Sequence, residues 1–404
     1  MKEIGRPGAV ALLFAIALLA GLLFTAAYPI PPVQSDAEGY LALARNVAAG
    51  HGFSQDGVTP AIYRPPLFSA LLGGWFFLTG TASVESAACF QSLLHAGGVT
   101  AAFFLFLELV PIGWAFCGAL FLALNPVLFT RVVFVLQEPT LILATTLAVL
   151  ASIRLIRAPS GPKAAWAGLA WGICILGKTV AAFAPLLLLA MRWLPASFRP
   201  NLPRREALIL LLAAAIAVAP WTIRNAARFG RFIPVNGQGQ GMLIWNVLQT
   251  KVAGDPEREP LISALRQDGG RKAETRERLW QFLRRHPREF LLERTLRNAI
   301  HFAAPPRDWW ISRGLVRPGE RRPVFWTLSL LFWVPPYAAL LFSTLSAARR
   351  RAAPPGLCFL MLFYWGYWVE HAIVWGDPRF GLAVYPVLLS ITLSAMVSAQ
   401  RRDR

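Results

Sequence analysis

The chain has 404 residues, of which 56% are hydrophobic and only 15% charged, and its mean hydropathy is +0.49. A soluble protein of this length needs more polar surface, so the composition predicts a polytopic membrane protein instead. In a soluble chain the formal net charge of +19 would suggest a nucleic-acid partner. Here the basic residues lie in clusters between apolar runs, as in proteins oriented in a membrane, so no nucleic acid is expected.

The apolar runs predict an all-α fold with about ten transmembrane helices. The first run is longer than the core of a signal peptide, so we expect a retained helix, with a cleaved leader as the alternative. The two short runs beside Lys178 suit a tilted or re-entrant hairpin. The runs cover residues 8–27, 84–108, 112–130, 139–156, 164–177, 180–193, 206–222, 324–346, 355–375 and 380–397.

The distribution of lysine and arginine predicts the orientation in the membrane. With the N-terminus in the cytoplasm, the short inner loops become basic, as the positive-inside rule requires. The basic residues of these loops are Arg154, Arg157, Lys163, Arg192, Arg199, Arg204, Arg205, Arg349, Arg350, Arg351, Arg401, Arg402 and Arg404. We therefore expect both termini in the cytoplasm.

The same alternation predicts five regions along the chain, two of them outside the cytoplasm. These are a first transmembrane helix (1–28), an outer loop with juxtamembrane helices (29–83), a transmembrane bundle (84–222), a large outer loop (223–323) and C-terminal transmembrane helices (324–404). The large outer loop contains LWQFLRRHP and REFLLERTLRNAIHF, which mix apolar and basic residues at helical spacing. They predict amphipathic helices lying on the membrane, with a small soluble cap as the alternative.

The first outer loop begins with QSDAEGYLALARNVAAGHGF. Ser35 and Glu38 have the spacing of a capping box, and Gly50 predicts the end of a short amphipathic helix. Asp36 falls in the first turn of that helix. It either complements the helix dipole or stands at the membrane surface, ready to accept a proton. In the second case, burial or a neighbouring Glu138 would raise the pKa of Asp36 towards neutrality.

Short segments spread over nearly the whole chain carry a family resemblance by their order and their common outward placement. They are Asp36 with a tyrosine four residues later and a Gly-x-Gly-Phe, Arg-Pro-Pro-Leu, RVVFVLQEPTLILATTLAVL, PWTIRN, HPREFLLERTLRNAIHF and GDPRFGLAVYPVLLS. Together they resemble the membrane-embedded glycosyltransferases of the GT-C type, which use lipid-phosphate sugars. The nearest branch is that of the bacterial protein mannosyltransferases and lipid A aminoarabinose transferases.

The resemblance implies an inverting hexosyl- or pentosyltransferase in the bacterial inner membrane, with its active site outside. The donor would be a polyprenyl-phosphate sugar, and the acceptor a glycolipid, a polysaccharide or a protein. Asp36 would be the catalytic base. Glu138 would orient the acceptor or, with Asp36, hold Mg or Mn, although it also suits a plain acid at a helix start. No cofactor beyond such a divalent cation is implied.

The donor phosphate needs cations, and by the resemblance Arg64, Lys178, Arg224 and Arg379 would supply them. Other roles stay open for two of these cations: Lys178 could snorkel to the interface, and Arg379 could form a surface ion pair with Asp377. Asn225 and Tyr40 complete the expected substrate-binding set, although Asn225 suits a helix cap as well.

Two departures from the family pattern limit the resemblance. The aminoarabinose branch has Glu-Lys where this chain has Tyr63-Arg64, so a metal site that uses that glutamate does not carry over. Lys178 replaces a family arginine, which keeps the charge and loses the bidentate fork. A transporter or flippase of lipid-linked sugars is the alternative function, and a non-catalytic assembly subunit is a third. Most charges lie near helix ends and no internal repeat is visible, which favours the enzyme.

Overall fold

The structure is a computed structural model. It describes residues 5–27, 30, 32–33, 35–237, 247, 250, 252, 254–268, 272–304 and 323–400. The basic residues predicted at 401–404 lie outside this part of the chain, and so do residues 305–322 at the end of the predicted large outer loop.

Sixteen α-helices follow one another in this part of the chain. They are α1 (Arg6–Ala27), α2 (Asp36–Ala48), α3 (Pro66–Thr79), α4 (Val84–Leu107), α5 (Ile112–Ala123), α6 (Pro126–Phe129), α7 (Glu138–Arg157), α8 (Gly161–Gly177), α9 (Phe183–Ala190), α10 (Arg204–Phe229), α11 (Arg258–Asp268), α12 (Ala273–Arg285), α13 (Arg294–Ala303), α14 (Pro323–Arg350), α15 (Pro355–Ile373) and α16 (Tyr385–Gln400). Short 3-10 turns cover Thr130–Val133, Thr179–Ala182, Met191–Trp193 and Pro378–Val384, and a π-helical turn covers Arg288–Glu293.

Among the described residues, six helical stretches are long and apolar enough to cross a membrane, so the predicted all-α polytopic membrane protein is confirmed. They are Arg6–Ala27, Val84–Leu107, Glu138–Arg157, Arg204–Phe229, Leu330–Arg350 and Pro378–Gln400. The run predicted at 112–130 is a pair of helices bent by 47°, which makes a seventh if it counts as one span. The remaining predicted runs are helical, but α8, α15 and residues 179–193 do not qualify by length and apolarity alone.

The bundle packs through small residues, as membrane helices do when their backbones approach closely. Helix α8 lies against α10 at Gly168 and Gly172, where a Cβ at Gly168 would collide with the Leu210 carbonyl. Helix α4 packs against α1, α5 and α7, with Phe103 and Phe106 fully buried between them. This rigid centre fixes the ends of α7 and α8, which carry Glu138 and Lys178.

A second hydrophobic cluster joins α2 to α3 beside the bundle. Gly73 allows this contact, because a Cβ there would lie 2.7 Å from a Val47 methyl group. Helix α2 ends at Ala48, and Gly50 follows it with a φ of 81°, so the predicted stop is confirmed. The predicted capping box is wrong: Ser35 has a φ of 54°, outside the extended region of capping residues, and its hydroxyl makes no capping bond.

Candidate functional site

A carboxylate shared by two arginines forms the centre of the candidate site. Asp36 opens α2, and its Oδ1 lies 2.8 Å from Arg64 Nη2. Its other oxygen, Oδ2, accepts a hydrogen bond of 2.7 Å from Arg379 Nη2. The structure thus joins three of the residues predicted for the site, although they come from the beginning and the end of the chain.

The 3-10 turn Pro378–Val384 sets the position of Arg379. Asp377 caps this turn, because its Oδ1 accepts a hydrogen bond of 2.9 Å from the Arg379 backbone N–H. The predicted alternative, an ion pair between Asp377 and Arg379, is present at 3.9 Å, longer than the bond to Asp36. The sequence contained the signal for this cap, since Asp before Pro is typical of a helix start.

Glu138 brings a second acid to the same arginine. It begins α7, is 4% exposed, and its Oε1 lies 4.0 Å from Arg379 Nε. Its other oxygen, Oε2, is buried and has no hydrogen-bond partner among the described residues. A buried acceptor without a donor is costly in a protein interior, so Oε2 is available for a ligand that donates a hydrogen bond.

Lys178 stands where α8 ends and the next 3-10 turn begins. Its Nζ lies 3.5 Å from the centre of the Phe380 ring and 5.8 Å from that of Tyr367. The nitrogen is buried and, in the part of the chain that the structure covers, lacks a hydrogen-bond partner. The side chain therefore points into an aromatic pocket next to Arg379 rather than snorkelling to a surface.

The aromatic ring of Tyr40 stacks against the guanidinium group of Arg64. The guanidinium lies 5.0 Å from the centre of the Tyr40 ring, and that ring packs edge-on against Phe68 at 5.3 Å. The tyrosine is 3% exposed, and burial raises the pKa of its hydroxyl well above the ordinary value. Tyr40 thus stays protonated and holds the plane of Arg64 by a cation–π contact.

Arg224 and Asn225 donate hydrogen bonds to backbone carbonyl oxygens of loops, and neither bonds to Asp36. Arg224 donates to the carbonyl oxygens of Ala61 and Phe53 at 2.9 and 3.2 Å. Asn225 is fully buried and donates to the carbonyls of Ile233 and Val235 at 3.0 and 3.1 Å. These bonds tie the 53–61 loop and the segment after α10 to the end of that helix, so we assign both residues a structural role in the loop.

A histidine outside the expected substrate-binding set lies 5.2 Å from the Phe380 ring, measured between ring centres. His371 is 3% exposed, and its Nδ1–H donates to the Tyr367 carbonyl at 2.8 Å. A carbonyl oxygen only accepts, so this bond fixes the tautomer and leaves Nε2 as an acceptor. That atom is buried and has no hydrogen-bond partner within the described residues. The i, i+4 spacing from Tyr367 on α15 was the available signal.

The charges around Asp36 keep it ionised. Burial raises the pKa of its carboxyl group, but the guanidinium groups of Arg379 and Arg64 outweigh burial, and the net pKa is below the ordinary value. The expectation of a pKa raised towards neutrality is therefore wrong, because a carboxylate that accepts from two cations is stabilised in its charged form.

The acids of the site do not suit a divalent cation. Both oxygens of Asp36 already accept from a guanidinium. Within the described ranges, no group of three or more His, Cys, Asp or Glu side chains could hold a metal ion. Since Mg²⁺ and Mn²⁺ require several oxygen ligands, we derive no step through a metal.

The fold is similar to about half of an archaeal oligosaccharyltransferase. The oligosaccharyltransferase AglB from Archaeoglobus fulgidus, in complex with an inhibitory peptide and a dolichol-phosphate, superimposes with a TM-score of 0.58 and 14% identity over 97% of this chain. The apo form of the Archaeoglobus fulgidus enzyme gives 0.56 and 14% over 99% of this chain. A form tethered to an acceptor peptide gives 0.57 and 15% over 100%.

The resemblance to GT-C type glycosyltransferases is thus confirmed at the level of the fold. The chain spans about half the length of these structures, covering 50%, 51% and 50% of them. No protein-family model and no curated protein matches the sequence. The fold is therefore known from structure, while the reaction has to be argued from the site.

Replacing Asp36 by Asn should lower the stability of the protein, because both guanidinium groups lose their charged partner. We expect a loss of about 1–3 kcal/mol at neutral pH, the cost of leaving buried donors unpaired. A depressed pKa stabilises the fold at pH values above the unfolded pKa, and this contribution disappears as the pH falls through the folded value, below 3.8.

Thermal unfolding in detergent as a function of pH measures this effect. The gap in Tm between wild type and Asp36→Asn should be widest near neutral pH and close as the pH falls below 3.8. Glu38→Gln is the matched control, because Glu38 is an exposed acid in the same helical turn. A gap that stays constant down to the lowest pH would show that the pair does not stabilise the fold.

Proposed function

We propose that this protein is a glycosyltransferase that moves one sugar from a polyprenyl-phosphate donor to a hydroxyl group of a glycolipid, polysaccharide or protein. The observation that carries the proposal is a set of buried polar atoms without hydrogen-bond partners among the described residues. They are Arg64 Nε, Arg379 Nε, Lys178 Nζ and Glu138 Oε2. Three cationic donors and one anionic acceptor match a phosphate group beside a hydroxyl group.

The similarity of the fold to known structures is a second, independent argument for the proposal. The structures that it resembles include an oligosaccharyltransferase with a bound dolichol-phosphate and one tethered to an acceptor peptide. A lipid phosphate and an acceptor are also the two reactants that we propose for this chain.

In the proposed mechanism the two arginines exchange partners. Arg64 and Arg379 leave Asp36 and bind the donor phosphate, where guanidinium groups form bidentate, charge-assisted hydrogen bonds. Lys178 adds a third charge. These cations stabilise the negative charge that develops on the phosphate oxygen when the bond to the sugar breaks. Asp36, now without its cations, gains basicity at the moment when a base is needed.

The bond changes follow from this arrangement. The acceptor oxygen attacks the anomeric carbon, its proton passes to Asp36, and the bond from that carbon to the phosphate oxygen breaks. The electron pair stays on the lipid phosphate, and a single displacement inverts the anomeric centre through an oxocarbenium-like transition state. Glu138 Oε2 accepts a hydrogen bond from the acceptor or from a sugar hydroxyl and orients it.

Charges at the two ends of α7 support an outward-facing site. Glu138 begins this helix of 20 residues, and Arg154 and Arg157 at its other end pair with Glu108 at 2.9 and 2.6 Å. A helix of this length is about 30 Å long, the thickness of the bilayer core. We place the basic end in the cytoplasm by the positive-inside rule and the site on the outer face of a bacterial inner membrane.

Asp36→Asn should abolish sugar transfer, with a fall in kcat of about 10²–10⁴-fold, the range for loss of a general base. Purified protein in proteoliposomes is supplied with polyprenyl-phosphate sugars and a membrane-glycan extract, and released polyprenyl phosphate is quantified. Glu38→Gln should keep full turnover. Unchanged release by Asp36→Asn would contradict the assignment of the base.

The same vesicles separate the enzyme from a flippase. A flippase would move a labelled lipid-linked sugar between leaflets without releasing lipid phosphate. Wild-type protein that moves the label and releases no phosphate would contradict the proposed transfer.

Transfer should not require a metal, because a divalent ion needs several oxygen ligands and the described residues contain no group of three or more His, Cys, Asp or Glu side chains that could hold one. Activity of the wild-type protein is compared before and after dialysis against EDTA, and again after addition of Mg²⁺ or Mn²⁺. We expect equal rates in all three states. Loss of activity in EDTA with recovery in Mg²⁺ or Mn²⁺ would contradict the metal-free site.

A further inference from the structure

The loop between α2 and α3 places an uncharged amide beside an arginine of the candidate site. Gln55 Nε2 and Arg64 Nε lie 3.1 and 3.3 Å from the point that a Cβ at Gly39 would occupy, and Arg64 Nη2 lies 3.7 Å from it. Nitrogen donors of an amide and of a guanidinium group therefore converge above α2. The glycine at position 39 lets both side chains approach the helix so closely.

The backbone around Gln55 is held from two sides. From α2, Asn46 Nδ2 donates to the carbonyl oxygens of Ser54 and Gln55 at 2.9 and 3.1 Å. From α10, Arg224 bonds to the backbone at both ends of the loop, as described above. The loop thus presents Gln55 from a fixed position next to Arg64, and the Gln55 side chain is exposed, so a ligand can reach it.

The tyrosine before Arg64 adds an aromatic surface at the same place. The guanidinium carbon lies 5.1 Å from the centre of the Tyr63 ring, and Tyr63 is 46% exposed. Tyr40 contacts the same guanidinium group at 5.0 Å, but it is only 3% exposed, because its ring packs in the cluster between α2 and α3. Of these two tyrosines, Tyr63 is the one that has ring surface available to a ligand bound at Arg64.

The chemistry of this surface indicates a sugar ring as its ligand. Tyr63 and Gln55 are uncharged, so they do not supply the cations that a phosphate needs. A sugar ring has an apolar C–H face that packs on an aromatic ring, and its hydroxyl groups bond to amides. Binding sites commonly combine an aromatic surface with a few placed polar groups. An acyl chain would suit the ring of Tyr63, but it would cover the Gln55 amide without giving it a hydrogen bond.

We propose that Tyr63 and Gln55 form a sugar subsite beside Arg64, in which the sugar ring packs on Tyr63 and a hydroxyl group accepts a hydrogen bond from Gln55 Nε2. The proposal rests on the proposed function, because a phosphate held by Arg64 brings the sugar bonded to it next to both residues. The ring belongs either to the donor or to a glycan acceptor, and the experiments below separate these two sources. Tyr63 and Gln55 would then determine which sugar the protein selects.

Equilibrium titration in nanodiscs tests the donor as the source of the ring. Each protein is titrated with bare polyprenyl phosphate and with a panel of polyprenyl-phosphate hexoses and pentoses, and the ratio of the two affinities isolates the contribution of the sugar. Wild type should prefer at least one glycosylated lipid. Tyr63→Ala and Gln55→Met should each reduce this preference about 2–10-fold, the loss of one aromatic contact or one hydrogen bond. Affinity for the bare lipid phosphate should not change.

Two further variants are matched controls. Tyr63→Phe keeps the aromatic ring and should keep the preference. Val58→Ala changes an 86% exposed side chain in the loop of Gln55 and should alter neither affinity. Equal losses of affinity for both lipids in Tyr63→Ala would overturn the proposal, since the tyrosine would then act through Arg64 or as a membrane anchor. Because Gln55 is exposed, Gln55→Met keeps the test valid if Tyr63→Ala does not fold.

The transfer assay in proteoliposomes tests the acceptor as the source. With the donor at saturation, the KM for the membrane-glycan extract is measured for the same variants. A KM that rises about 2–10-fold, with an unchanged lipid preference in the titration, would assign the ring to a glycan acceptor. A rise seen only with acceptors that a protease destroys would overturn the proposal, because the subsite would then bind a peptide. No change in lipid preference or in KM would overturn it as well.

Failure of the proposed function gives a different result in these experiments. If wild-type protein releases no polyprenyl phosphate, it is not a transferase, and the proposed function fails. The titration still measures the preference for glycosylated lipid and its dependence on Tyr63 and Gln55. Normal release together with an unchanged preference and an unchanged KM in both variants would overturn the sugar subsite alone.

Discussion

The bonds from the Asp36 carboxylate to Arg64 and Arg379 hold the candidate site together. Arg64 precedes α3, and Arg379, 343 residues after Asp36, is the second residue of the last 3-10 turn. Without this shared carboxylate, two positive charges would face each other in a half-buried space. In the protein without ligand, the ion pairs offset the repulsion between the two guanidinium groups. A phosphate that binds at this site must compete with Asp36 for the same donors.

The membrane dictates where such a site can be built. Within a bilayer the backbone must satisfy its own hydrogen bonds, so polar chemistry concentrates at helix ends and breaks. Asp36 and Glu138 begin α2 and α7, Lys178 follows the end of α8, and Arg379 lies in a 3-10 turn before α16. The long apolar helices between these points supply rigidity, and their close packing at glycines fixes the ends that carry charge.

Much of the fold could be predicted from hydropathy and charge, because helix formation in a membrane depends on long apolar runs that are visible in the chain. Spacing could not tell which loop Arg224 would meet, since that depends on how the helix ends pack in three dimensions. Nor could spacing predict the direction in which the pKa of Asp36 shifts, because two arginines that are remote in sequence cause that shift. The amphipathic character of α13 could be predicted from the sequence. Its hydrogen bonds to the carbonyl oxygens of Ala372 and Val374 could not, because they depend on how α13 packs against another helix.

Competition between Asp36 and the lipid phosphate is the central claim, and the affinity of Asp36→Asn for polyprenyl phosphate tests it most directly. If the arginines must leave Asp36 to bind phosphate, removal of the carboxylate charge should free them, and the variant should bind the lipid phosphate more tightly than wild type, as measured by equilibrium titration in nanodiscs. Weaker or unchanged binding would contradict the claim, because it would mean that the arginines hold Asp36 for the sake of the fold alone.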